Sequence, residues 1–247
     1  MSFLKRVISS VAEVRSSQTL KQQPLQQQLS APRRVLVVNS KGGCGKTTIA
    51  TNLAGCLSSR NHPAVLIDYD PQGSSMQWLS LRSDERKSVH GIAAHRGPSS
   101  GTTRSFQMRI PEGTQYVIVD APAGVCGPDL IKLVRDIDTI IIPVLPSPID
   151  IHACSYFIKD LFLVAKVRSK SIRIGVVANR TRANNKVYDK LIKFLRSLEI
   201  EFVGALKDSQ SYVHAAQDGL SVVELRNNQT SKDKRQWNEI INWLNAG

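Results

Sequence analysis

Long hydrophobic runs are missing from this sequence of 247 residues. The longest apolar stretch, TIIIPVL at 139–145, contains a proline and is far shorter than the roughly 20 apolar residues that a membrane-spanning helix needs. The N-terminus also lacks the uninterrupted apolar core and the small-residue cleavage site of a secretory signal. We therefore expect no transmembrane segment and a cytoplasmic location.

Cysteine is scarce as well. The four cysteines show neither a Cys-x-x-Cys pair nor a metal-like spacing with the five histidines. This argues against a disulfide scaffold and against a structural zinc site, so we interpret all four as reduced thiols.

Acidic residues are few relative to basic ones, with 20 against 33, and the net charge is +13. The excess lies at the two ends: residues 1–34 carry +5, residues 35–150 carry +1 and residues 151–247 carry +7. Within 159–196, eleven basic residues stand against two acidic ones. This block indicates a polyanionic partner, nucleic acid before membrane, or else a solvated basic face.

An amphipathic pattern opens residues 1–33, with apolar side chains on one helical face at Phe3, Leu4, Val7, Ile8, Val11 and Val14. A glutamine-rich stretch at 16–31 follows, and its composition predicts a flexible tether. The amphipathic helix is expected to dock a partner, to fold back on its own domain or to touch a membrane. Residues 34–247 are expected to form a single domain.

Six apolar, β-branched runs alternate with helical patterns in that domain, at 34–39, 64–69, 116–121, 139–144, 172–179 and 201–206. Strands that are apolar on both faces and separated by helices predict an α/β fold: a doubly wound, mostly parallel sheet with helices on both faces. Ligands of such sheets bind at the carboxyl ends of the strands. The polar, glycine- and serine-rich segment 83–105 is expected to be a poorly ordered insertion.

The sequence NSKGGCGKTT at 39–48 lies between the first predicted strand and a helical pattern. Its last part, Gly45-Lys46-Thr47, matches the end of a Walker A loop, although Ser40 replaces the usual first glycine. Glycines at 42, 43 and 45 allow a close approach of the backbone to an anion, and Lys46 is placed to neutralise the β- and γ-phosphates. The Thr47 hydroxyl is a Mg²⁺ ligand in such loops. The sequence thus predicts a nucleotide-binding P-loop with Mg²⁺.

The strand, the loop and the additional Lys41 resemble the deviant Walker A signature, Lys-Gly-Gly-x-Gly-Lys-Thr-Thr, of the ParA/MinD family of ATPases. The resemblance implies that Lys41 reaches the phosphates held by the second subunit of an ATP-bound homodimer. On this basis the ATP contacts are expected at Lys41, Gly42, Gly43, Cys44, Gly45, Lys46, Thr47 and Thr48. Cys44 replaces a small aliphatic residue of the family loop; its thiol either packs under the loop or offers a site of oxidation.

The resemblance extends to LIDYDPQGSS at 66–75 and VIVDAPAG at 117–124. It implies that Asp70 activates the attacking water and that Asp120 belongs to the metal shell. Asp68 is assigned to the same metal site, either as a supporting carboxylate or as an ordinary strand-end residue. Asn179 matches the position at which the family contacts adenine, and it is also an ordinary turn residue.

Residues 182–198 predict a helix with one cationic and one apolar stripe. The family resemblance implies a DNA-binding surface without sequence preference, which we assign to Arg180, Arg182, Lys186, Lys190, Lys193 and Arg196. No base-reading motif is present, so phosphate contacts are expected.

Near the C-terminus, Trp237, Ile240, Ile241 and Leu244 form an apolar stripe on a predicted helix. The residues between them are polar, which favours a helix packed on the sheet over the alternative of a membrane-targeting helix.

The resemblance implies a nucleoid-associated ATPase of the ParA branch, which positions or partitions a cargo such as a plasmid, a chromosome, a microcompartment or a chemoreceptor cluster. A ParB-like protein or a cargo adaptor would stimulate a slow hydrolysis. Two alternatives remain, a MinD-like membrane-associated regulator and a metabolic ATP-dependent enzyme of the same fold.

Overall fold

The computed structural model describes residues 31–97, 103–182, 186–226 and 230–246. The expectations for the N-terminal helix and most of the tether therefore lie outside the described residues. Residues 31–247 form one compact unit.

Strands and helices alternate along the described chain. The strands are β1 (Arg33–Val37), β2 (Ala64–Asp68), β3 (Val89–Ala93), β4 (Tyr116–Asp120), β5 (Thr139–Val144), β6 (Arg173–Thr181) and β7 (Glu201–Lys207). The helices are α1 (Lys46–Ser59), α2 (Ser74–Ser80), α3 (Arg104–Gln107), α4 (Gly127–Leu133), α5 (Pro148–Leu163), α6 (Lys186–Ser197), α7 (Ser211–Gln217) and α8 (Ser231–Asn245). Short 3₁₀ turns occur at Val167–Lys170 and Val222–Glu224.

The strands form one parallel sheet in the order β3-β2-β4-β1-β5-β6-β7. This confirms the predicted doubly wound α/β fold. Strand β1 lies at the centre, and the order reverses beside it, because β2 and β4 lie on one side and β5 on the other. The carboxyl end of β1 is therefore the topological switch point at which such sheets bind ligands.

Alternate residues of β1 enter two different cores. Leu36 packs in the core beneath α4, α5 and α6, which we call the first face. Val35 and Val37 pack in the core beneath α1, α2, α7 and α8, which we call the second face. Two-sided burial explains why the strands appear in the sequence as continuous apolar runs.

The prediction of a poorly ordered insertion at 83–105 is wrong for the part that the structure describes. Val89–Ala93 form β3, which pairs in parallel with β2 at one edge of the sheet. Val89 and Ile92 are buried, whereas His90 is exposed and Gly91 partly buried. An edge strand with polar and glycine residues lacks the continuous apolar pattern of the central strands, which is why it was not recognised.

The C-terminal helix α8 packs on the second face. Its apolar residues Trp237, Ile240, Ile241 and Leu244 are at most 1% exposed. The prediction of a helix packed on the sheet is therefore confirmed, and the apolar stripe is not available to a membrane in this structure. Among the described residues no helix has the length and hydropathy needed to cross a bilayer.

Candidate functional site

The loop between β1 and α1 lies at the carboxyl edge of the sheet. Gly43 and Gly45 adopt left-handed φ angles of 74° and 95°. A Cβ atom on Gly45 would lie 2.1 Å from Nδ2 of Asn179, so only glycine fits at this point. The α1 N-terminus begins at Lys46, directly after the loop, and its free backbone N–H groups favour an anion there.

The two lysines of the loop occupy different environments. Lys46 is buried, and its Nζ donates to the backbone carbonyl of Lys41 at 3.0 Å. Lys41 is 35% exposed at the rim, where its Nζ lies 2.8 Å from Oδ1 of Asp150. Ser147 caps α5: its hydroxyl accepts the backbone N–H of Asp150 and donates to Oδ2 of the same residue, which fixes the Asp150 carboxylate. The loop thus carries one inner cation and one outer cation, and the outer one is ion-paired.

Cys44 packs under the loop. Its side chain is buried, and its Sγ donates to the carbonyl of Lys41 at 3.3 Å. Burial raises the pKa of the Cys44 thiol, although the nearby charge of Lys46 acts in the opposite direction. A protonated, buried thiol is a poor nucleophile, so this arrangement favours the packing role over oxidation.

Asp120 ends β4 beside the loop. Its Oδ2 accepts a hydrogen bond from the Ser75 hydroxyl at 2.6 Å, whereas its Oδ1 is buried with no hydrogen-bond partner among the described residues. Burial raises the pKa of Asp120 to about 6, against the hydroxyls of Ser75 and Thr47, which lower it. A buried carboxylate with one unsatisfied oxygen next to a threonine hydroxyl fits a divalent cation.

Asp68 is the neighbour of Asp120 across the β2–β4 pairing. Its Oδ1 accepts the backbone N–H of Asp70 at 2.9 Å, and its Oδ2 accepts that of Met76 at 3.2 Å. Burial raises the pKa of Asp68 despite these two bonds. Both oxygens therefore brace the segment from Asp70 to Met76, which is the arrangement expected of a supporting carboxylate.

Asp70 lies on the turn between β2 and α2 and is partly exposed. Its Oδ1 accepts the backbone N–H of Gln72 at 2.9 Å. His95 reaches this turn from the end of β3: its Nδ1 lies 3.2 Å from the Asp68 carbonyl, and its ring packs near Gly73. The turn that carries Asp70 is thus held by β2 and by the edge strand.

Asn179 uses both ends of its amide within the protein. Its Nδ2 donates to the carbonyl of Cys44 at 2.9 Å, and its Oδ1 accepts the backbone N–H of Arg180 at 3.0 Å. It is 4% exposed. The side chain therefore ties β6 to the loop, which the sequence did not predict because the two segments are 135 residues apart.

A pocket of about 540 Å³ opens next to the loop. One wall contains Thr48, Asn179 and Arg180, and the opposite walls come from α2, α7 and the segment after β7. The sequence analysis did not identify the latter residues, among them Gln77, Trp78, Leu81, Asp208, Tyr212 and Val213.

The structure separates the residues that were assigned to a DNA-binding surface. Arg180 lines the pocket beside the loop. Arg182 is 82% exposed and pairs with Asp208 at 3.1 Å, and Lys193 and Arg196 are exposed on α6. Lys186 and Lys190 lie on the same helix, but their side chains are outside the described residues.

Comparison with known proteins identifies relatives for most of the chain. A family model described as the CobQ/CobB/MinD/ParA nucleotide-binding domain matches residues 35–222. The maintenance of carboxysome distribution protein A of Halothiobacillus neapolitanus is 29% identical over 192 residues, which cover 76% of this chain and 86% of that protein.

Two solved structures share the fold. One is a McdA variant from Cyanothece in complex with ATP, with a TM-score of 0.65, 18% identity, and 86% of this chain and 97% of that chain covered. The other is the septum site-determining protein MinD from Pyrococcus horikoshii with Mg-ADP, with a TM-score of 0.63, 12% identity, and 85% and 94% covered.

Proposed function

This chain belongs to the family of CobQ/CobB/MinD/ParA nucleotide-binding domains, and we propose that it is an ATPase of the ParA branch that positions or partitions a cargo on the nucleoid of a bacterial cell. The observation that carries the proposal is the pair of lysines in one loop, with Lys46 turned inward and Lys41 ion-paired at the rim. The similarity to a carboxysome distribution protein supports the positioning role.

The phosphates of ATP bind to the backbone of residues 42–48, at the N-terminus of α1. Lys46 leaves the Lys41 carbonyl and contacts the β- and γ-phosphates. Thr47 and Asp120 would hold Mg²⁺, with Asp68 supporting them through its bonds to the Asp70 turn. When bound, Mg²⁺ neutralises charge on the phosphate oxygens.

Hydrolysis transfers the γ-phosphoryl group to water and releases ADP and phosphate. Asp70 orients this water, because its partly exposed carboxylate lies on the turn that Asp68 and His95 hold. The turn is partly exposed at Asp70 and is held to β2 by hydrogen bonds to the Asp68 carboxylate, and we expect its closure over the nucleotide to limit the rate. A slow intrinsic rate that a partner protein increases by ordering the turn is consistent with this arrangement.

The pocket beyond Thr48 takes the nucleoside. None of residues 41–47 lines it, so it lies next to the phosphate loop and not within it. Asn179 positions the loop through the Cys44 carbonyl and forms the inner end of the pocket.

Lys41 completes the site of a second subunit in an ATP-bound homodimer. To do so it leaves Asp150, and the ion pair of the monomer is exchanged for a contact with the phosphates held by the partner. Dimerisation thereby depends on ATP.

The dimer binds DNA through the phosphate backbone, using Arg182, Lys186, Lys190, Lys193 and Arg196. A ParB-like protein or cargo adaptor then stimulates hydrolysis and releases the dimer from DNA. The burial of the apolar stripe of α8 disfavours the membrane-associated alternative for that helix.

The test measures ATP hydrolysis, self-association and retention on arbitrary duplex DNA for the purified full chain. We expect ATP-dependent dimers that bind DNA. Lys46→Ala should lose nucleotide binding, whereas Lys41→Ala should bind ATP but remain monomeric and free of DNA. Lys132→Ala, an exposed lysine on α4, is the control for loss of charge. A wild-type protein that hydrolyses ATP without binding DNA in any nucleotide state would overturn the nucleoid role and redirect attention to a small-molecule phosphate acceptor.

A further inference from the structure

Arg180 has a backbone conformation that is unusual for its residue type. Its φ angle is 51°, in the left-handed region, where a side chain with a Cβ is strained. It lies within a register shift of the β6–β7 pairing: between the pairs Ala178–Ala205 and Thr181–Lys207, two residues of β6 correspond to one residue of β7. The extra residue is a β-bulge, a feature that redirects side chains next to functional sites.

The bulge changes the side of the sheet on which Arg180 lies. Along β6, Val176 and Ala178 pack on the first face, and Val177 packs on the second face with α1. Regular alternation would direct residue 180 to the first face. Arg180 instead lines a pocket whose walls include Thr48 of α1 and residues of α2 and α7, which belong to the second face.

A hydrogen bond holds the bulge in place. The backbone N–H of Arg180 donates to Oδ1 of Asn179, whose Nδ2 is bound to the Cys44 carbonyl of the phosphate loop. The conformation of Arg180 is therefore tied directly to the loop. Left-handed backbone that the surrounding structure maintains in this way clusters at ligand-binding sites, and at Arg180 it coincides with a pocket.

The position of Arg180 in the pocket indicates which part of a ligand it meets. The lining includes Thr48 but none of residues 41–47. A nucleotide whose phosphates bind the loop would therefore place its nucleoside, and not its phosphates, in this pocket. A guanidinium group is planar and packs well on aromatic faces, including nucleobases.

We propose that Arg180 is a nucleotide-binding residue whose guanidinium stacks on the base of the bound nucleotide, and that it is not part of the DNA-binding surface. The proposal rests on the proposed function, because it takes the ligand of the loop to be a nucleotide. It assigns to the β6 bulge the task of turning this side chain to the second face.

The experiment measures the dissociation constant of ADP by calorimetry on the full chain, for the wild type, Arg180→Gly, Arg180→Lys and Lys166→Gly. Glycine relieves the left-handed strain, so Arg180→Gly removes the side chain without disturbing the bulge. Lys166→Gly is the matched control: Lys166 is also an exposed basic residue with a φ angle of 51°, and it lies after α5 at the opposite end of the strands.

We expect Arg180→Gly to weaken ADP binding about tenfold or more, given the usual contribution of a stacked base. Arg180→Lys should be weakened nearly as much, since lysine keeps the charge but not the planar surface. Lys166→Gly should stay within about twofold of the wild type. The proposal is overturned if Arg180→Gly binds ADP as tightly as the wild type. It is also overturned if Arg180→Lys binds ADP fully, because the contact would then depend on charge alone. A wild type that does not bind ADP overturns the proposed function itself, which is a different result.

Discussion

The ammonium group of Lys41 lies 2.8 Å from the carboxylate of Asp150, across the gap between the loop after β1 and the first turn of α5. Asp150 is fixed in this position by the Ser147 hydroxyl and is largely buried, whereas Lys41 is partly exposed. The lysine that is proposed to reach a second subunit is therefore held by its own subunit in the monomer. The ability of Lys41 to reach a second subunit therefore depends on α5, which carries Asp150, as well as on the loop.

Removing the charge of Asp150 should favour dimerisation. In Asp150→Asn, Lys41 no longer loses an ion pair when it turns to a partner, and partly exposed pairs contribute about 0.5–1 kcal/mol. We expect the ATP-dependent dimer to tighten about two- to fivefold, measured by analytical ultracentrifugation. Asp129→Asn, which removes the exposed pair with Lys132, is the control and should leave the dimer unchanged. A weaker Asp150→Asn dimer would mean that Asp150 holds Lys41 in its productive position.

A methyl group on Gly45 should disable the loop. The Cβ of Gly45→Ala would lie 2.1 Å from the Asn179 amide at a φ angle of 95°, so the bond between Asn179 and Cys44 must break. We expect a loss of about 2–4 kcal/mol in the free energy of unfolding and the loss of ATP binding.

Gly113→Ala is the matched control for this variant, since Gly113 has a φ angle of 78° with open space around it. It should cost only about 1–2 kcal/mol for the left-handed conformation and should bind ATP normally. Equal effects of the two substitutions would exclude a special role of the Gly45–Asn179 contact. Urea unfolding and calorimetric ATP titration provide the two measurements.

Asp120 should make the nucleotide-free and Mg²⁺-free protein less stable as the pH rises. Its folded-state pKa is about 6, above the unfolded value of about 4, so the folded state binds the proton more tightly. The destabilisation develops between about pH 4 and pH 6 and is fully present at pH 7. Asp120→Asn should therefore raise the melting temperature of the free protein at pH 7.5 more than at pH 5.

The same variant should lose hydrolysis, because it lacks the proposed carboxylate for Mg²⁺. Asp136→Asn, at an exposed residue just before β5, is the control and should leave the stability unchanged at both pH values. If Asp120→Asn destabilised the free protein equally at both pH values, burial of the charge would not be the dominant effect at this position.

DNA binding should depend steeply on salt. If about four phosphates are contacted, the affinity should fall roughly a hundredfold between about 50 and 200 mM salt. The double variant Lys186→Ala/Lys190→Ala should reduce the slope of the logarithmic salt dependence by about two. Fluorescence anisotropy with a labelled duplex checks both values, with Lys132→Ala as the control. A slope that stays at the wild-type value would place the interface elsewhere.

The sequence was sufficient for the features that depend on local pattern. The glycines and lysines of the loop identify it by their spacing, and six strands were recognisable because they are buried on both faces. Strand β3 was missed because an edge strand needs only one buried side, and its His90 and Gly91 interrupt the apolar pattern.

The contacts that complete the site depend on distant parts of the chain. Nothing near Lys41 in the sequence indicates Asp150, which is brought to it by the pairing of β1 with β5. Arg180 was assigned to the basic surface because it adjoins Arg182, and only a bulge, which depends on the register of β7, turns it to the pocket.

Helix α1 is enclosed on almost every side: most of its residues, from Ile49 to Ser58, are buried, and it contacts the sheet, α2 and α8. A helix in this position exchanges its amide hydrogens with water only when much of the domain opens. The floor of the nucleotide site therefore belongs to the slowest-exchanging part of the molecule. In the proposed homodimer, a stimulating partner would therefore act on the outer turns, at Asp70 and Asp150, while the phosphate-binding helix keeps its position in each subunit.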